Sequence, residues 1–72
     1  MKTKNYRTQT EYIDAELENI ALITDRGERV GLYTKFKEKL ISEARQYSGH
    51  YQGVGAACYE GRTKINRLID LV

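Results

Sequence analysis

Tyr59, Arg62, Lys64, Asn66 and Arg67 form the densest group of residues in this chain able to do chemistry, and that chemistry is recognition. An arginine guanidinium forks around a phosphate or a carboxylate, and a tyrosine beside it can stack or hydrogen-bond. On a helix Tyr59, Arg62 and Asn66 stand at i, i+3 and i+7, so they share one face. The five are therefore the candidate partner- or anion-binding residues. A plainer reading competes with this one. Glu60 and Lys64 are spaced as an i,i+4 ion pair, and the segment could be an ordinary charged surface.

The remaining reactive side chains do not assemble. Cys58 is the single cysteine and His50 the single histidine. Eight residues separate them, more than two turns of one helix, so a thiolate–imidazole pair is not expected. Cys58 reads as a small apolar residue and His50 as a solvated loop or cap residue. One cysteine and one histidine fall short of the four ligands of a structural zinc site. Glu11, Asp14, Glu16 and Glu18 read as a solvated acidic face, because no two of them suggest an acid/base pair. There is no phosphate-loop, GxGxxG, HExxH or CxxC motif, and Gly53-Val54-Gly55 lacks an apolar strand before it. The expectation is a non-enzymatic protein without metal or cofactor.

These residues need a helix to hold them, and the last 22 residues supply one. Tyr51, Val54, Cys58, Gly61, Ile65, Leu68 and Val72 recur at intervals of three and four, a seam along one side of a helix that starts near His50. Such a seam must lie against another helix. Its first half is rich in small residues: Gly53, Gly55, Ala56, Ala57 and Cys58. A glycine inside a helix costs about 1 kcal/mol relative to alanine. Three causes stand open: close helix–helix approach, close approach of a ligand, or a glycine loop with the helix starting only at Ala56.

Upstream, Tyr33, Phe36, Leu40, Ala44 and Tyr47 share a helical face with Ile41 beside them, while Lys35, Lys37, Lys39, Glu43 and Arg45 take outer positions. Ser48-Gly49 ends that helix, and the short connection predicts an antiparallel helical hairpin from about residue 33 to the end. An earlier helix starts at Thr8, where Thr8-Gln9-Thr10-Glu11 fits a capping box. It carries Thr10, Ile13, Leu17, Ile20 and Thr24 on one face and stops at Gly27. A β-hairpin over about 20–34, turning at Asp25-Arg26-Gly27-Glu28, is the rival reading. Residues 1–9, with Lys2, Lys4 and Arg7, read as a basic flexible arm, and 10–72 as one helical domain. The expected fold is thus all-α: a small three-helix domain with a C-terminal antiparallel hairpin. The alternative is α+β with a hairpin at 20–34.

At 72 residues the chain is one domain near the lower limit of independent stability. No internal disulfide is possible, which leaves self-association as the inexpensive remedy. The net charge of +2 is too small to demand nucleic acid, but its distribution is uneven: +3 over residues 1–9, −4 over 10–26, then +2 and +1. The polar N-terminus and the lack of a 20-residue apolar run point to a cytoplasmic protein that does not enter a membrane. Six tyrosines stand against one phenylalanine and no tryptophan. That suits either an interface or the boundary of a small core. Together these features predict a small inhibitor, adaptor or regulator that binds a protein partner or assembles with itself. Its proline-free, charged character is in the style of phage or mobile-element accessory proteins. The second reading is an anion binder, for nucleic acid or a nucleotide, through its basic, tyrosine-rich helices.

Overall fold

A computed structural model describes residues 5–47 and 53–71, and they are all-α. The elements are α1 (Tyr6–Ala21), α2 (Arg26–Gln46) and α3 (Val54–Leu71). His50, Tyr51, Val72 and the Ser48-Gly49 turn lie outside the described residues, as do residues 1–4.

α1 begins earlier than the Thr8 signature suggests. Asn5 is the N-cap: its side-chain oxygen accepts from the Thr8 N–H at 3.0 Å, and the Thr8 hydroxyl accepts from the Asn5 N–H at 3.1 Å. Thr8 is thus the second half of a capping box that Asn5 opens, and Glu11 has no part in it. Residues 6–9, placed in the basic arm by their charge, belong to α1. Arg7 is a helical residue, its guanidinium 3.6 Å from Glu11.

Gly27 does not end α1. The helix stops at Ala21, capped by Leu22, and Gly27 lies in the first turn of α2. Asp25 decides this, since its carboxylate accepts from the Glu28 N–H at 2.8 Å and caps α2. Glu28 sits in the first turn, where the helix dipole favours an anion. Arg29 folds back to donate to the Ile23 carbonyl at 2.8 Å, which binds the start of α2 to the exit from α1. Residues 26–34 are therefore helical, and the β-hairpin alternative is overturned. Its apolar run is helical because Tyr33 continues the three-and-four spacing of Phe36 and Leu40 back toward Asp25.

α3 begins at Val54, between the two expected starts. Gly53 precedes it with φ +80°, a conformation that favours glycine. A Cβ there would also lie 2.6 Å from the Tyr6 Cβ. The glycine-loop explanation holds for Gly53 alone. Around Gly55 there is open space, so close approach does not explain it.

α3 packs extensively against both other helices, forming the hairpin with α2, whereas α1 and α2 touch each other far less. The core draws on all three: Ile13, Leu17 and Ile20; Tyr33, Phe36 and Leu40; Val54, Ala57, Cys58 and Ile65. Of the seam, Val54, Cys58, Gly61 and Ile65 are buried and Leu68 is half-buried. Thr24, placed on the α1 face by spacing, is exposed beyond the helix end. Gly61 marks the point where the helices converge. A Cβ on it would stand 3.0 Å from Leu40 Cδ1 and 3.1 Å from Ile13 methyls. Gln9 is the single polar residue at core depth among those described, 2% exposed. Its amide donates to Glu43 at 2.7 Å and approaches Cys58 Sγ at 3.5 Å, so one side chain from each helix meets there.

Candidate functional site

The five recognition residues lie on α3, and the fold divides them. On the flank toward α1, Lys64 Nζ reaches Asp14 Oδ1 at 3.0 Å, while Arg67, three residues on, is exposed to solvent. Glu60 shares this flank and accepts a hydrogen bond from the Tyr6 hydroxyl at 2.6 Å. The i,i+4 pair expected between Glu60 and Lys64 is therefore replaced by two contacts to α1. This hydrogen bond, followed by partial burial and the Glu60 charge, pushes the Tyr6 hydroxyl above its usual pKa range.

On the flank toward α2, Asn66 Oδ1 accepts from Lys37 Nζ at 2.8 Å. Arg62 stands one turn before Asn66 and Tyr59 seven residues before it, so these three share a face along the α2–α3 hairpin. Tyr59 is 67% exposed. Arg62 is half-buried, and its buried Nε has no hydrogen-bond partner among the described residues. No described carboxylate pairs with Arg62. An arginine laid down along the surface with its stem already packed has lost much of its freedom in advance. An acceptor brought to it would meet a partly pre-organised donor.

Sequence reasoning placed Tyr59, Arg62 and Asn66 on one face and did not name Lys37 as their neighbour. No local pattern marks Lys37, because the contact joins two helices. Gln9 was missed as well. Its signal was available, since it stands four residues before Ile13 on the buried face of α1, but a polar residue there reads as surface. Cys58 is wholly buried beside the Gln9 amide, where no substrate reaches it. The described tyrosines divide by depth. Tyr33 is core, Tyr12 and Tyr47 are half-buried against it, and Tyr6 and Tyr59 are exposed.

Among the described residues no three His, Cys, Asp or Glu side chains converge as metal ligands, and no helix is long and apolar enough to cross a membrane. No protein-family model, curated protein or solved structure matches this chain.

Proposed function

We propose that this protein is a small, non-enzymatic interaction module that binds a protein partner through the α2–α3 face built on Tyr59, Arg62 and Asn66. The observation that carries the reading is Arg62. It is half-buried, has no carboxylate partner among the described residues, and stands on the same face as a two-thirds exposed tyrosine. A partner acceptor would engage the solvent-facing nitrogens of this guanidinium, and because the half-buried side chain is already held in place, less freedom is lost when the bond forms. Arginine and tyrosine are also the residue types that dominate interface hot spots. A partner carboxylate or carbonyl on Arg62, with Tyr59 laid over apolar surface, is the contact expected.

The second reading, an anionic ligand such as nucleic acid, draws on Lys37 at the edge of the same face. It asks for more cations than this face offers, and the acidic first helix opposes it. Copurification from the native cells separates the two. A second polypeptide should accompany the wild type, resist moderate salt, and disappear with Arg62→Glu or Tyr59→Ala while persisting with Arg67→Glu. An accompanying oligonucleotide that dissociates steeply with salt would move the assignment to the anionic reading. A polypeptide retained undiminished by Arg62→Glu would reject this face.

A further inference from the structure

We infer that the groove between α1 and α2, on the side away from α3, is a self-association surface that receives a second copy of this chain. The inference does not rest on the α2–α3 reading. The α1 and α2 backbones approach each other less than either approaches α3; side chains bridge them where Gln9 meets Glu43 and Tyr12 meets Phe36 and Lys39, and the groove opens beside those contacts. The result is an open cleft of about 360 Å³, lined by Glu16, Asn19, Ile20, Ile23, Leu32, Lys35, Phe36 and Lys39, with no residue of α3. Ile23 and Leu32 are only half-buried in it. Leu22, beside the cleft at the end of α1, is 79% exposed.

Charge names the occupant. The α1 edge carries Glu16, and the α2 edge carries Lys35 and Lys39. Consider two copies facing each other across a two-fold axis parallel to the groove. The α1 edge of each then lies over the α2 edge of the other, and Glu16 meets the lysines twice. An axis across the groove would instead lay α1 over α1 and α2 over α2, with the basic edge of one copy on the basic edge of the other. The surface is thus self-complementary in one arrangement only, the isologous form in which each contact occurs twice. The apolar ends, Ile23 and Leu32, fall over each other in that same arrangement.

The size of the face sets the strength. α1 has 16 residues and is therefore about 24 Å long, and two helices side by side are about 20 Å wide. This is smaller than the ~800 Å² per partner of a stable complex, so the dimer should be weak and concentration-dependent. It would hold two α2–α3 faces outward, one from each copy, which raises the apparent affinity for any partner that presents its epitope twice.

Sedimentation equilibrium from micromolar to millimolar protein, at low salt, tests this with two surface variants. Glu16→Lys makes both edges of the groove basic. Lys35→Glu makes the α2 edge more acidic and leaves in place Lys39, whose Nζ lies 5.5 Å from the centre of the Tyr12 ring. Each variant alone should dimerise roughly tenfold more weakly than the wild type, because like charges now oppose each other. An equimolar mixture should recover a heterodimer, since the basic edge of one chain meets the acidic edge of the other. Far-UV circular dichroism on each variant confirms folding. A wild type that stays monomeric throughout overturns the inference. So does a Glu16→Lys variant that dimerises like the wild type, or a mixture that gains nothing.

Discussion

The two flanks of α3 use similar residues in opposite ways. Toward α1, Glu60 is engaged by Tyr6 and Lys64 by Asp14, so the polar side chains are spent on holding two helices together. Toward α2, Lys37 is satisfied by Asn66, but Arg62 keeps an unpartnered Nε and Tyr59 stands clear of the surface. Under the proposed reading, the charge of a helix face does not mark the contact; an exposed tyrosine beside an arginine without a described carboxylate partner does.

The most damaging way to break the comparison is to separate α3 from both neighbours at once. Gly61→Val would drive methyl groups into Leu40 and Ile13 and should cost about 3 kcal/mol in urea denaturation. Gly53→Ala combines a positive φ with a Cβ pressed against Tyr6, and should cost about 2 kcal/mol by the same measurement. The flanks themselves come next. Lys64→Ala removes an ion pair half open to solvent and should destabilise by less than about 1 kcal/mol. Arg62→Ala breaks no ion pair in the isolated chain, and because loss of the half-buried stem is offset by removal of an unpartnered donor, it should change stability by no more than about 1 kcal/mol while removing partner binding.

The smallest effect is at alkaline pH, where Tyr6 on the closed flank and Lys39 between α2 and α1 titrate. The Tyr6 pKa is raised chiefly by its hydrogen bond to Glu60, and the Lys39 pKa is raised by the Tyr12 hydroxyl. Raised pKa values mean that folding favours the protonated forms. Their contribution is complete below the unfolded values of about 10 and is lost as pH rises through the higher folded values. The thermal midpoint should hold steady up to about pH 9 with respect to these two groups and decline above pH 10. Tyr6→Phe should shallow that decline.

Much of the fold was legible because its signals are local. The spacing of Ile13, Leu17 and Ile20, of Tyr33, Phe36 and Leu40, and of Val54, Cys58, Gly61 and Ile65 identified all three buried faces. The errors fell at the ends of helices, where several residues compete to cap. Asn5 outcompeted Thr8, and Asp25 turned Gly27 from a terminator into a helical residue. At the candidate site, helical spacing grouped Tyr59, Arg62 and Asn66. It could not reveal that Lys64 reaches across to Asp14 on α1, because that depends on which flank each neighbouring helix covers. Gln9 escaped because one amide's burial depends on Glu43 and Cys58, which lie 34 and 49 residues away.

The central claim is that the open flank of α3, and not the closed one, carries recognition. Calorimetric titration of the copurifying polypeptide into wild type, Arg62→Ala and Lys64→Ala tests it most directly. The account predicts that Arg62→Ala weakens binding roughly a hundredfold, as expected for a hot-spot arginine, while Lys64→Ala stays within about threefold of wild type. Equal losses in the two variants, or a loss confined to Lys64→Ala, would contradict it.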